Sequence, residues 1–263
     1  MAHKQKLRSF HLFAGAGGGI LADLILGHDV IGACEIEKYP RDLLLARQRD
    51  GILPSFPVWD DVCTLDGKPW RGSVDVLCGG FPCQDISAAG KGAGITGERS
   101  GLWKEYLRLI REMEPSYIFA ENSPHLRTRG LSTVLKDLAE LGYDARWGVL
   151  GFRHLRGPIH RDRMWVFASS SKKHGRGLHW WTNPIQRNME KHKQARSLVD
   201  WFFEELDESG EWREQQRETN CPPYLFSMEH GVANELDELK AIGNGQVPQV
   251  AALAFSILSE GLM

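Results

Sequence analysis

The sequence predicts an α/β protein built on an open, mostly parallel, doubly wound sheet, with helices on both faces and a small insert near the C-terminal end. Three observations carry that prediction. Short apolar runs alternate with amphipathic stretches through the first two thirds of the chain, as strands do with the helices that cover them. Glycine-rich or polar segments follow several of the apolar runs, at the strand ends where such sheets bind ligands. The chain has 263 residues, 42% hydrophobic and 25% charged, enough for one large domain with a small appendage at roughly 150 residues per domain. That composition supports a buried core and not a disordered tail.

Taken in order, Phe10-His11-Leu12-Phe13 reads as the first strand, and residues 20–26 as a helix closed by Gly27. A C-terminal glycine supplies the left-handed conformation that ends a helix. Val30-Ile31-Gly32-Ala33-Cys34 is a second strand, followed by a helix over residues 40–48. Val74-Asp75-Val76-Leu77-Cys78 is a buried strand, and residues 102–113 form a helix that stops before Pro115. Tyr117-Ile118-Phe119-Ala120 is a further strand with a helix over 132–141 behind it, and residues 145–150 and 164–168 form a last pair of strands. After Ala168 the alternation breaks. Ser169-Ser170-Ser171-Lys172-Lys173 reads as a linker, and the stretch beyond it is rich in Trp, His and charge without strand–helix repetition. Regularity returns at Leu239, and residues 247–262 read as a terminal helix with Pro248 in its first turn. The sequence has no internal repeat and no low-complexity tract.

Charge and cysteine content narrow the class. The formal net charge is −2, which argues against a protein that coats polyanions wholesale. The distribution is uneven. Residues 146–197 hold twelve Lys/Arg against two acidic residues, and residues 198–218 hold eight acidic residues against Arg213 and Arg217. A basic block beside an acidic one fits a face built for phosphate, or a solvated surface stretch. No apolar run approaches the ~18 residues of a membrane span, and the start Met1-Ala2-His3-Lys4 leads into no signal-peptide core. Five cysteines, an odd number, do not make a disulfide framework, so a cytoplasmic, reducing setting is expected.

The candidate chemistry lies at strand ends. Phe13-Ala14-Gly15-Ala16-Gly17-Gly18-Gly19 joins the first strand to the first helix. Glycines there let a ligand approach the backbone, and the helix start offers free N–H groups. The dinucleotide fingerprint fails at its third glycine, where Ile20 stands. Glu35, at the end of the second strand, is placed for ribose hydroxyls, so an adenosyl or nucleotide cofactor is expected. Gly79-Gly80-Phe81-Pro82-Cys83-Gln84 puts Cys83 at the carboxyl end of a buried strand, where a thiol can be activated by helix termini or cations. Cys34, Cys63 and Cys78 read as small hydrophobes. Gly90-Lys91-Gly92-Ala93-Gly94-Ile95-Thr96-Gly97 suits a closing lid and lacks the ending of a phosphate-binding P-loop. Glu121-Asn122-Ser123 follows an apolar strand. A carboxylate there is either desolvated, with a raised pKa suited to proton donation, or a cap for the next segment. Arg161 and Arg163, at alternate positions of an extended segment, project to one side as an oxyanion or phosphate clamp would, or are surface arginines.

In this order the motifs resemble those of the DNA (cytosine-5)-methyltransferase family of the bacterial and phage type. The matching segments are Phe13-Ala14-Gly15-Ala16-Gly17-Gly18, Gly80-Phe81-Pro82-Cys83-Gln84, Glu121-Asn122, Arg161-Asp162-Arg163 and Gly243-Asn244-Gly245-Gln246-Val247-Pro248. The likeness covers nearly all of the chain except about 169–230. It implies a Rossmann-like S-adenosylmethionine-dependent methyltransferase fold, with residues 1–168 the catalytic domain, 169–231 a small target-recognition region and 232–263 a return to the catalytic domain. It also implies a reaction on a cytosine flipped out of double-stranded DNA. Cys83 attacks C6, Glu121 in its protonated form bonds N3 with Asn122 assisting, and Arg161 and Arg163 hold the base's O2 and the thiol region. For the cofactor the resemblance implies Phe13, Ala14, Gly15, Ala16, Gly17 and Gly18, with Glu35 on the ribose and Ile36 on the adenine face. Asp61 and Val62, after the third strand, read the adenine edge, and Pro82, Leu102, Asn244 and Gln246 complete the site. Ser87, Lys91 and Arg99 of the lid contact phosphate. No metal, membrane or obligate protein partner is implied, and a monomer is expected.

Three departures from the family pattern stand out: Ile159 where Gln is usual, Ser123 where Val is common, and Gly245-Gln246 in the late loop. None touches Cys83 or Glu121. The basic half of 169–230, with His179, Trp180 and Trp181, suits phosphate contact and groove insertion. Its acidic half, with Trp201-Phe202-Phe203, reads as a packing helix. Competing readings are an RNA cytosine-5 methyltransferase and a non-catalytic DNA-binding relative, in which Cys83 or Glu121 would be lost. A nicotinamide-dependent oxidoreductase would leave Pro82-Cys83-Gln84 unexplained.

Overall fold

The structure is a computed structural model that describes residues 6–82, 101–155, 161–174 and 245–262. Its strands are β1 (Arg8–Leu12), β2 (Asp29–Cys34), β3 (Val58–Trp59), β4 (Val76–Gly80), β5 (Tyr117–Asn122), β6 (Tyr143–Gly151) and β7 (Asp162–Ser170). Its α-helices are α1 (Gly18–Leu26), α2 (Lys38–Arg49), α3 (Leu102–Met113), α4 (Leu126–Arg129), α5 (Leu131–Glu140), α6 (Ser171–His174) and the terminal α7 (Pro248–Leu258). Among the described residues the strands form one sheet in the order β3-β2-β1-β4-β5-β7-β6. β1 to β5 pair in parallel, and β7 runs antiparallel to both of its neighbours. The doubly wound, mostly parallel sheet expected from the alternation is therefore present. No helix among the described residues is long and apolar enough to cross a membrane.

Strand alternation divides the core in two. Phe10, Leu12, Leu77, Ile118 and Ala120 pack on one face with α3 and α5, while Val76, Cys78, Tyr117 and Phe119 pack on the other with α7. Successive side chains of a strand point to opposite faces, so Glu121 follows Phe119 towards α7, and Asn122 follows Ala120 towards α3. Phe255 of α7 meets Phe119 and Phe167 edge-on at 5.3 and 5.4 Å. The terminal helix is thus sewn onto the sheet beneath Glu121.

Several boundaries differ from expectation for identifiable reasons. The triple serine is no linker: β7 runs through Ser170, and Ser169 and Ser170 are buried. Ser170 N–H donates to Ser116 O and the Ser171 hydroxyl to Gly142 O, and these backbone partners are invisible to composition. The terminal helix ends at Leu258, and residues 259–262 turn away. β3, two residues long, leaves no periodicity to read. Cys34 and Cys78 are buried as small hydrophobes, but Cys63 is exposed.

A buried polar cluster lies between β1 and α1. Asp23 accepts from His11 Nε2 at 2.7 Å and from His28 Nδ1 at 2.8 Å. Burial opposes ionisation of Asp23, but the contacts with His11 and His28 outweigh it and hold the carboxyl well below the usual range. Asp23→Asn leaves one of the two rings without an acceptor and is expected to lower unfolding stability by about 2 kcal/mol at neutral pH. Because the folded pKa is depressed, that contribution is present above the unfolded value of about 3.9 and fades as pH falls below it. Urea midpoints of wild type and D23N should therefore converge as pH is lowered from about 5 towards about 3.

Candidate active site

The sheet order reverses between β1 and β4, and both strands end on the same side because they run parallel. Ligands bind α/β sheets at such a switch point, beyond the strands' carboxyl ends. The turn after β1 and the segment after β4 therefore face one crevice, and β5 adds a third wall with Glu121 in register with Gly80.

On the β1 side, the turn is wound by positive backbone angles at Phe13 (φ 52), Gly15 (φ 54) and Gly17 (φ 92). A left-handed conformation at a bulky residue such as Phe13 is uncommon, and such strain clusters at ligand sites. Ala14 N–H donates to Cys34 O and Gly17 N–H to Ala14 O, both at 3.1 Å, so the turn is tied to β2. The space where a Cβ on Gly15 would lie is open, with nothing within 4 Å. Glu35 is buried, and its Oε2 accepts from Gly15 N–H at 2.6 Å while Oε1 accepts from Glu37 N–H at 2.8 Å. Burial raises its pKa against the pull of those two amides. A carboxylate offers about four acceptor positions, so two remain for hydroxyls. Ile36 is 63% exposed, an apolar face left open beside that carboxylate. Asp61 Oδ1 accepts from Cys63 N–H at 2.9 Å, and Val62 is buried. Leu102 opens α3, and Phe13 faces Tyr106 of that helix with ring centroids 6.4 Å apart.

On the β4–β5 side, Glu121 is buried and its Oε1 lies 2.8 Å from Arg163 Nε. Burial raises its pKa, outweighing the opposite effects of Arg163, Arg161 and a hydrogen bond from Gln246. Burial and then the nearby Arg163 pull Arg161 down to about 10, and its guanidinium donates to Gly245 O. Asn122 bridges two segments: its Nδ2 donates to Phe81 O at 3.1 Å and its Oδ1 accepts from Ser123 N–H at 2.7 Å. Phe81 is packed on Trp103 at 4.9 Å. The chain leading to Cys83 is therefore held to β5 two residues before the cysteine.

The structure thus gathers Phe13, Ala14, Gly15, Ala16, Gly17, Gly18, Glu35, Ile36, Asp61 and Val62 around one half of the crevice. Pro82, Glu121, Asn122, Arg161, Arg163 and Gln246 lie around the other. Cys83, Ser87, Lys91, Arg99, Asn244 and Ile159 lie outside the described residues, as does the part of the expected recognition region beyond residue 174. Of the described thiols, burial pushes Cys34 up to about 12 and Cys78 well above its ordinary value, so neither is a thiolate at neutral pH.

Sequence reasoning missed the supports. Arg108 donates to Val62 O at 2.8 Å and Leu65 O at 2.9 Å while paired with Glu105 and Glu112, fixing the Asp61–Val62 loop. Acidic residues three before and four after an arginine on one helix were the available signal. Arg41 donates to the carbonyls of Glu35 and Ile36, and no local pattern marks that role.

A family model described as C-5 cytosine-specific DNA methylase matches residues 7–238. The type II methyltransferase M2.BsuMI of Bacillus subtilis (strain 168) is 33% identical over 166 residues, covering 60% of this chain and 41% of that protein. The type II methyltransferase M.Eco47II of Escherichia coli is 36% identical over 140 residues, covering 50% and 32%. Among solved structures, the S. pombe Dnmt2 methyltransferase superposes with a TM-score of 0.53 at 22% identity, covering 69% of this chain and 55% of that one. That likeness shows a shared fold. The matched stretch spans about a third to two fifths of the length of these curated relatives.

Proposed function

The chain belongs to the C-5 cytosine-specific DNA methylase family, and from that membership we propose that it methylates C5 of cytosine in double-stranded DNA with S-adenosylmethionine as donor. The observation that carries the reading is the buried Glu121, paired with Arg163 and in register with the strand end that leads to Cys83. A carboxyl whose pKa burial has raised is fit to keep a proton and donate it to N3 of a base. Cys83, as the thiolate, adds to C6. The electron density so released reaches C5, and the proton from Glu121 to N3 stabilises it. After C5 has gained its methyl group, a solvent base takes the C5 proton, the bond between C6 and sulfur breaks with its electron pair on sulfur, and N3 returns its proton to Glu121, so that thiolate and acid are both regenerated. Arg163 and Arg161 hold Glu121 and the facing C-terminal segment, and Asn122 holds the segment that carries Cys83.

The donor set on the β1 side fits S-adenosylmethionine. Glu35 has two acceptor positions left for ribose hydroxyls, Ile36 offers an apolar face to adenine, and the open space over Gly15 admits the chain that carries the sulfonium. The cofactor supplies the electrophilic methyl group. Asp61, Val62, Phe13 and Leu102 line the same half, Pro82 approaches the cofactor from the end of β4, and the family resemblance assigns Asn244 to it. Ser87, Lys91 and Arg99 contact DNA phosphates, and the protein acts as a monomer in the cytoplasm.

The test is transfer of labelled methyl from S-adenosylmethionine to unmethylated duplex DNA and to tRNA, followed by nucleoside analysis. Label in 5-methylcytosine from DNA is the expected result. Label only in RNA would move the substrate to RNA, and cofactor binding without transfer to either would leave a non-catalytic relative.

A further inference from the structure

Gln246 enters the crevice just before α7 and threads a slot made by glycines. A Cβ on Gly18 would lie 2.1 Å from the Gln246 backbone oxygen, and one on Gly19 would lie 2.7 Å from its side-chain Oε1. On the other side, a Cβ on Gly80 would lie 2.5 Å from Glu121 Oε2 and 3.5 Å from Gln246 Nε2. The start of α1 therefore makes way for Gln246 and the end of β4 for the Glu121 carboxyl, with Gln246 Nε2 at ordinary contact distance from the same point over Gly80. Arg161 fixes the segment from behind through Gly245 O, and Val247 caps α7 by accepting from Ala251 N–H at 3.0 Å. The amide so held hydrogen-bonds the carboxyl of Glu121.

Resting on the reading of Glu121 as the acid at N3, we propose that Gln246 is a positioning residue. Its amide N–H, seated between Gly19 and Gly80, donates to Glu121 on the side away from Arg163 and sets how that carboxyl is oriented and how firmly it keeps its proton. Arg163 Nε is 2.8 Å from Oε1, whereas Oε2 is the oxygen against Gly80, beside Gln246 Nε2. With Oε1 committed to a cation, the proton resides on Oε2, which keeps a lone pair for the amide. The charged groups acting on Glu121 among the described residues are Arg163 and Arg161. Gln246 faces it as a neutral donor from the C-terminal segment, and β4 presents only Gly80. A donor to a carboxyl favours the ionised form, so loss of the amide lets Glu121 hold its proton to higher pH.

The experiment is an NMR titration of the full chain labelled with carboxyl-¹³C glutamate, in which the Glu121 resonance is identified by its absence in E121Q. Gln246→Met keeps the length and removes the donor, and Gln246→Glu keeps the shape and adds a like charge. The Glu121 midpoint is expected to move to higher pH in Q246M and further in Q246E, and S-adenosylmethionine binding is measured in parallel. On duplex DNA, Q246M should lower kcat about tenfold near neutral pH without changing KM, and the alkaline limb of its pH profile should move up with the midpoint. An unmoved midpoint in both variants overturns the proposal. So does weakened cofactor binding with an unmoved midpoint, which would place Gln246 on the cofactor instead. If the midpoints move as expected but the wild type methylates no cytosine, it is the reading of function that fails, and with it any role of this contact in catalysis.

Discussion

Cys83→Ser is expected to lower methyl transfer to duplex DNA at least about 10³-fold while leaving S-adenosylmethionine binding intact. A hydroxyl is far less acidic than a thiol, so serine offers almost no anion to attack C6 near neutral pH. The substitution changes one atom at the end of a segment whose position is set elsewhere. Asn122 donates to Phe81 O, and Phe81 is buried against Trp103, which in turn packs on Tyr106. The buried thiols cannot take over, because burial holds the protons of Cys34 and Cys78 in place. The measurement is the initial rate of labelled methyl transfer, paired with trapping on DNA that carries 5-fluorocytosine. There the C5 fluorine cannot leave as a proton does, so the bond from Cys83 to C6 persists. Wild type should form that covalent complex and C83S should not. A variant that keeps a tenth of the wild-type rate, or still forms the complex, would assign the nucleophile to another residue.

Glu121→Gln is expected to lower kcat about 10²-fold and to remove the alkaline limb of the pH profile. Glutamine donates a hydrogen bond but delivers no proton to N3, and it does not titrate. On the proposed mechanism the active form is the protonated one, so activity is expected to fall as pH rises through the folded pKa, which burial has raised against Arg163, Arg161 and Gln246. Stability carries the same sign. As pH rises past about 4.3 the unfolded chain releases this proton first. Wild type therefore loses stability between that value and the raised folded one, and E121Q does not. Thermal melts across that range read the difference without reference to catalysis. A wild-type rate that stays flat into alkaline solution would remove Glu121 from the role of acid.

The features legible in the amino-acid order are local. Alternation of apolar and amphipathic stretches predicted every strand but β3, and α3 at Leu102–Met113. Glycines marked the turn after β1, and chain order put Glu35 and Glu121 at strand ends, where a parallel sheet exposes side chains to ligand. Periodicity and turn chemistry act over a few residues, so they are legible without a fold.

Which of these strand ends meet depends on the fold. Glu121 pairs with Arg163 because β7 returns antiparallel beside β5, with Glu121 opposite Trp165. Gln246 reaches Glu121 because α7 docks beneath the same strand through Phe255. The serines after Ala168 extend a strand because Ser116 and Gly142 offer their carbonyls. Each of these contacts joins segments far apart in the chain, and its formation depends on strand order and helix packing. No local pattern encodes that, because the free energy that brings such segments together comes from burying the whole core and not from the residues that finally touch.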